Sequence, residues 1–172
     1  MAGPAHLVKR FFGSLVPKGP SGSEEAWVAE VLLDGELDLW RRMSRADRRH
    51  AVGVARRVER SLGHEASRPI LAAALLHDCG KVVADLGTYG RVVATLSAKV
   101  AGREHAAAWR ETRGYTRRVG LYLEHPELGA DLLGLAGSAP VTVAWAREHH
   151  LPEDQWTVPP AIGRALKDAD DD

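Results

Sequence analysis

Residues 70–81 read ILAAALLHDCGK. The apolar run 70–76 leads without a break into His77 and Asp78, and Pro69 stands in the first-turn position that a helix tolerates. This pattern predicts a helix buried along its whole length. An unpaired ionisable side chain is costly to bury, so the imidazole and the carboxylate at the end of this helix need a partner. A metal ion is the simplest partner that serves both.

Helical patterns continue on both sides of this stretch. The predicted helices cover residues 24–33, 37–43, 44–62, 69–78, 92–123 with breaks at Gly102 and Gly114, 125–137, 140–150 and 160–172. No alternating pattern of convincing length predicts a strand, and there is no internal repeat or P-loop. The sequence therefore predicts an all-α fold, a single-domain helical bundle over 24–172. A short helix and a linker over 1–23 precede it.

Bulk composition excludes few functions. The chain has 172 residues, a formal net charge of zero and one cysteine. Zero net charge provides no overall attraction to nucleic acid or anionic lipid, and no apolar run approaches the roughly 20 residues that span a bilayer. A single cysteine cannot form an internal disulfide, which agrees with a reducing compartment. We therefore expect a cytoplasmic protein without a transmembrane segment.

The N-terminal segment has two interpretations. Leucine, valine and phenylalanine recur at helical spacing between residues 7 and 16, with basic residues nearby. The segment is a short helix packed on the domain, or it makes a weak contact with a membrane surface or a protein partner.

Ionisable residues recur on the apolar faces of other predicted helices, at steps of three or four residues. The rows are His50 with Val54 and Val58; His125 with Leu128, Leu132 and Leu135; His149 with Val141 and Trp145; and Asp170 with Ile162 and Leu166. A single inward histidine is usually a hydrogen-bonded core residue, and a single aspartate near a helix end is often a cap. Several helices that each bury one such residue are better explained by a shared metal site.

The chemistry of these side chains suits transition metals. Imidazole nitrogen and carboxylate oxygen are ligands for Fe, Mn, Zn, Ni or Co. The candidate ligands are His50, His77, Asp78, His125, His149, His150 and Asp170. Seven ligands exceed the four of a tetrahedral site, so we predict two divalent ions with Asp78 as the bridge, because a carboxylate has two oxygens. Adjacent His149 and His150 reach one ion only near a helix end, which Pro152 predicts.

In this order the residues resemble the HD-domain superfamily of metal-dependent phosphohydrolases, over about 44–172. HAVGVARRV (50–58) resembles the first-histidine helix of that family, and ALLHDCGK (74–81) resembles its central His-Asp motif. EHPELGADLL (124–133) and AREHH (146–150) resemble elements of the HD-GYP branch, and ALKDADD (165–171) resembles the closing helix, with Asp170 at the ligand position. At 151–162 the chain reads LPEDQWTVPPAI where that branch carries a Gly-Tyr-Pro element, so cyclic di-GMP is not implied as the substrate.

The resemblance implies a ligand set and a reaction. His50, His77, Asp78 and Asp170 would hold one ion, and Asp78, His125, His149 and His150 would hold the second. Ala46 stands where some relatives place a glutamate for a third ion, which favours two. The reaction expected is hydrolysis of a phosphoester in a nucleotide or other small phosphorylated substrate, through a hydroxide that bridges the metals.

Lys81 follows the predicted metal pair and is placed to contact a phosphate oxygen, so we expect Asp78 and Lys81 to be the catalytic residues. A surface lysine near a helix C-terminus explains Lys81 equally well. Two other functions fit the ligands. One branch of the superfamily houses a mixed-valent di-iron centre that activates oxygen, and a metal-holding domain of this type can also serve as a non-catalytic regulatory module.

Overall fold

A computed structural model describes residues 19–84, 86, 108–109 and 111–172. Its α-helices are α1 (Gly22–Val31), α2 (Asp34–Arg42), α3 (Arg45–Leu62), α4 (Arg68–Leu76), α5 (Lys81–Ala84), α6 (Gly114–Leu123), α7 (His125–Leu135), α8 (Pro140–Glu148) and α9 (Pro160–Asp171). Within these ranges no residue is in a strand, which confirms the all-α prediction. The predictions for residues 1–18 and for the helix over 92–107 lie outside the described residues.

Local capping explains where the first helices begin. Ser21 Oγ accepts a hydrogen bond from the Glu24 backbone N–H at 3.3 Å, and Glu24 Oε2 accepts one from the Ser21 N–H at 2.6 Å. This reciprocal capping box starts α1 at Gly22, so the last two residues of the linker predicted over 1–23 are helical. Ser44 caps α3 through the Asp47 N–H at 3.1 Å, as its position in the sequence predicts.

The apolar helix α4 lies at the centre of the bundle. All seven residues from Ile70 to Leu76 are buried. The helix packs against α3 on one side and α8 on the other, α9 lies on α3, and α7 lies on α8. The indole rings of Trp40 and Trp145 belong to the same hydrophobic core as α4 and are almost completely buried. Because α4 is enclosed along its length, the C-terminal end of this helix lies inside the protein.

The turn after α4 is held close to α7. Residues 77–80 are all buried, and a Cβ atom added to Gly80 would lie 2.0 Å from the His125 carbonyl oxygen and 2.6 Å from the Gly129 backbone nitrogen. Only glycine permits this approach of two backbones. The short helix α5, which the sequence did not predict, then packs on α6 and α7.

The buried face of α7 differs from the predicted one. It consists of His125, Gly129, Ala130 and Leu133, whereas Leu135, placed on that face by the sequence pattern, is 88% exposed. Leu128 and Leu132, the other two leucines of the predicted face, are partly buried and pack on the core, so the prediction was wrong for Leu135 alone. A backbone turn packs closely on α7 at Gly129, and small residues face it.

None of the described helices combines the length and the apolar character needed to cross a membrane.

Candidate metal centre

Five helices bring the predicted ligands to one place, mostly at their ends. His77 is the C-terminal cap of α4 and His149 that of α8, while His125 is the first residue of α7. His50 lies in α3 and Asp170 in the last turn of α9. Helix ends suit this purpose because the chain there leaves the helical path and backbone groups remain unpaired. The predicted helix end at His149 and His150 is confirmed.

Each of the three buried histidines is oriented by a backbone carbonyl three residues earlier. Nδ1 lies 2.9 Å from the Ala74 oxygen in His77, 2.7 Å from the Tyr122 oxygen in His125 and 2.9 Å from the Ala146 oxygen in His149. A carbonyl oxygen only accepts, so Nδ1 carries the proton and donates it. In the neutral ring Nε2 then has a free lone pair, which is the form that binds a metal.

The opposite ring nitrogens are buried and have no hydrogen-bond partner among the residues that the structure describes. This holds for Nε2 of His77, His125 and His149. Buried polar atoms in folded proteins are nearly always paired, so three unpaired nitrogens in one cluster require an explanation. Metal binding would use these lone pairs, and the donor set therefore fits metal ions.

The ligand atoms form two groups. The His50 group contains His50, His77 and Asp170, and the His125 group contains His125, His149 and His150; within each group the ligand atoms all lie within 4.8 Å of one another. These buried and partly buried groups could hold metal ions. The division matches the one that the family resemblance implies. That the residues bind ions stays a prediction.

Asp78 lies between the two groups. Its Oδ2 is 3.5 Å from His77 Nε2, and its Oδ1 is 3.3 Å from His125 Nε2 and 3.8 Å from His149 Nε2. One carboxylate oxygen therefore lies near His77 of the His50 group and the other near His125 and His149 of the His125 group, which is the placement expected of a bridging ligand.

Burial and charge set the protonation of the cluster. Burial lowers the pKa of His125 and, more strongly, that of His149, which keeps both rings neutral. Burial also lowers the pKa of His77, but the negative charges of Asp78 and Asp170 outweigh it and the pKa is raised. Burial alone would raise the pKa of Asp78; Lys81 and His77 outweigh it and hold that pKa well below its usual value.

Lys81 enters the site rather than pointing to solvent. Its Nζ forms an ion pair with Asp78 Oδ2, and its side chain is only 11% exposed. The ammonium also lies 5.9 Å from the centre of the Tyr122 ring, within the range of a cation–π contact. The interpretation of Lys81 as a surface lysine is wrong, because the turn over 77–80 places the first residue of α5 against Asp78.

Cys79 directly follows Asp78, and its side chain is buried. Burial and the Asp78 charge raise the pKa of the Cys79 thiol to about 12, so a thiolate ligand is disfavoured.

Glu148, which the sequence analysis did not identify, is buried and accepts hydrogen bonds from the Thr157 N–H at 2.7 Å and the Val158 N–H at 3.3 Å. It thereby fixes the loop that connects His149 and His150 to α9. The signal available in the sequence was an acidic residue directly before the two histidines.

The cluster reaches solvent through its outer members. The His50 side chain is 25% exposed and His150 is exposed, whereas His77, Asp78, His125 and His149 are buried. A small molecule would therefore reach the cluster from the side of His50 or from the side of His150.

Comparisons with protein-family models, with curated proteins and with solved structures found no match.

Proposed function

We propose that this chain is a divalent-metal-dependent phosphohydrolase of the HD-domain type, acting on a nucleotide or another small phosphoester. The observation that carries the proposal is the position of Asp78. Its two carboxylate oxygens face two separate groups of histidine and aspartate ligands, an arrangement suited to a pair of ions that share one ligand. Two such ions, when bound, supply an activated water and stabilise charge on the attacking and leaving oxygens.

The residues of the chain have distinct parts in this reaction. His50, His77, Asp170, His125, His149 and His150 would hold the ions, and Asp78 would hold both. Burial of the inner ligands excludes bulk water, which strengthens electrostatic interactions inside the site. Water adds to phosphorus, the phosphorus–oxygen ester bond breaks, and the leaving alkoxide takes up a proton to give an alcohol.

Lys81 is proposed to contact the phosphate. Its ammonium lies at the bridging carboxylate, so a phosphoryl group that approaches the ions also comes within its reach. A positive charge at that point favours the transition state, in which negative charge spreads over the phosphoryl oxygens.

The proposed function is tested by turnover of a substrate panel. The metal-free chain would be loaded separately with Mn²⁺, Fe²⁺, Zn²⁺, Ni²⁺ and Co²⁺ and assayed against nucleoside monophosphates, cyclic nucleotides and simple phosphomono- and diesters. We expect metal-dependent release of phosphate or nucleotide. Oxygen consumption by the iron-loaded chain on an organic substrate without ester hydrolysis would contradict the proposal and favour the di-iron oxygenase. Metal binding without any turnover would favour the regulatory module.

Replacing Lys81 by methionine, which keeps the length of the side chain without its charge, should lower kcat/KM by roughly 10²-fold, the scale found when one electrostatic stabiliser is removed. Metal content should not fall, because Lys81 supplies no ligand. The measurements are steady-state kinetics and metal analysis of the same preparation. Lys167→Met is the matched control, because the Lys167 ammonium pairs with Asp171 at 2.9 Å and not with a candidate ligand; this variant should turn over normally. Unchanged kinetics in Lys81→Met would remove Lys81 from the mechanism.

A further inference from the structure

The ligand atoms of the two groups differ in their availability. In the His125 group, Nε2 of His125 and Nε2 of His149 are buried without a hydrogen-bond partner. Asp78 Oδ1 faces both, at 3.3 Å and 3.8 Å. An ion that enters this group meets two ring nitrogens whose Nδ1 protons are held by backbone carbonyls, and a carboxylate oxygen beside both.

The His50 group is engaged in internal contacts. Asp170 Oδ1 accepts a hydrogen bond from His50 Nε2 at 2.8 Å, so the proton of that ring stands on the nitrogen that an ion would need. Asp78 Oδ2, the oxygen that faces this group, is ion-paired with Lys81. His77 Nε2 is the one ligand atom of this group left without a hydrogen bond.

Lys81 opposes an ion in the His50 group through its charge. The ammonium is paired with Asp78 Oδ2, the oxygen that lies 3.5 Å from His77 Nε2. A divalent cation bound at that oxygen would stand beside a like charge in a buried environment, where Coulomb interactions are weakly screened. The ion can bind tightly only if the ammonium moves away.

We infer that the two groups load in a fixed order, the His125 group first, and that Lys81 holds back the second ion by occupying Asp78 Oδ2. The inference rests on the proposed function in taking both groups as metal sites. When metal is scarce, the chain carries one ion and Lys81 remains on Asp78. Loading of the second ion releases the ammonium, and the released charge is the one that the proposed mechanism uses for phosphate.

Titration of the metal-free full-length chain with Co²⁺ tests this order, followed by calorimetry and by the visible absorption of the bound ion. We expect two binding steps whose dissociation constants differ by at least about tenfold. His150→Ala should weaken the tighter step, and His50→Ala should weaken only the looser one. The reverse assignment, or two equal steps, would overturn the inference.

Variants of Lys81 test the cause of the order. In Lys81→Met the looser step should tighten by about tenfold and the tighter step by less than about threefold, because the ammonium lies at Oδ2 and farther from Oδ1. Lys81→Arg should keep both steps as they are, and so should Lys167→Met. If the ratio of the two dissociation constants is unchanged in Lys81→Met, the proposed role of Lys81 is overturned. If that variant does not fold, the His50 and His150 variants still decide the order.

This readout is independent of turnover. Two ordered steps in a chain that hydrolyses no ester would support the inference and contradict the proposed function. Two equal binding steps in a chain that hydrolyses phosphoesters would contradict the inference and support the proposed function.

Discussion

Replacing Asp78 by asparagine should remove both ions and abolish phosphoester hydrolysis while leaving the chain helical. Asparagine has the shape of aspartate, but its amide lacks the negative charge and offers one oxygen where the bridge needs two. Both groups lose their shared ligand, so neither ion should survive gel filtration. The measurements are metal analysis, circular dichroism and the turnover assay on one preparation.

Asp131→Asn is the matched control for this substitution. Asp131 lies in α7 like His125, but its side chain is 74% exposed and its nearest basic atom is Arg147 Nη2 at 3.7 Å. We expect wild-type metal content and turnover. Asp78→Ala should additionally lower stability by about 3 kcal/mol, because it leaves the Lys81 ammonium largely buried without its counter-ion. A preparation of Asp78→Asn that retains both ions would contradict the bridging role.

Replacing Gly80 by alanine should destabilise the metal-free chain by about 3 kcal/mol or more. The added Cβ would lie 2.0 Å from the His125 oxygen and 2.6 Å from the Gly129 nitrogen. Both are backbone atoms, so relief of the clash requires α7 to move as a body. Because α7 carries His125 and the turn carries His77 and Asp78, this movement should weaken metal binding as well. The measurement is urea unfolding in the presence of a chelator.

Gly134→Ala provides the comparison. Gly134 lies in α7, the helix that Gly80 faces, and a Cβ there meets no described atom within 4 Å. Alanine is the better helix former by about 1 kcal/mol, so this variant should be equally or more stable. Equal stability of Gly80→Ala and wild type would show that the turn and α7 do not approach as closely as described.

Much of the fold could be predicted because local signals agree with it. Ser44, Gly63 and Pro69 mark helix boundaries through capping and backbone restrictions that act within a few residues. The apolar run 70–76 predicts its own complete burial. At Ser21 the local capping signal is weaker, and the predicted start of α1 lies two residues after the observed one.

The candidate site was predicted less completely, because some of its contacts depend on tertiary packing. Periodicity identified which histidines face inward, since an inward row is a property of one helix. It could not show that Lys81 turns back onto Asp78, because that contact follows from the turn held against α7 through Gly80. It also misplaced Leu135, since a face built on Gly129 and Ala130 carries no bulky apolar signature.

His50 and Asp170 are 120 positions apart in the chain, yet their side chains are in contact. A cation held by both would tie α3 to α9 and act as a cross-link. Closing so long a segment restricts the unfolded chain more than closing a short one, although the gain grows only with the logarithm of the length. The cation would then stabilise the fold as well as take part in the reaction. The stability of the folded protein would therefore depend on the concentration of metal.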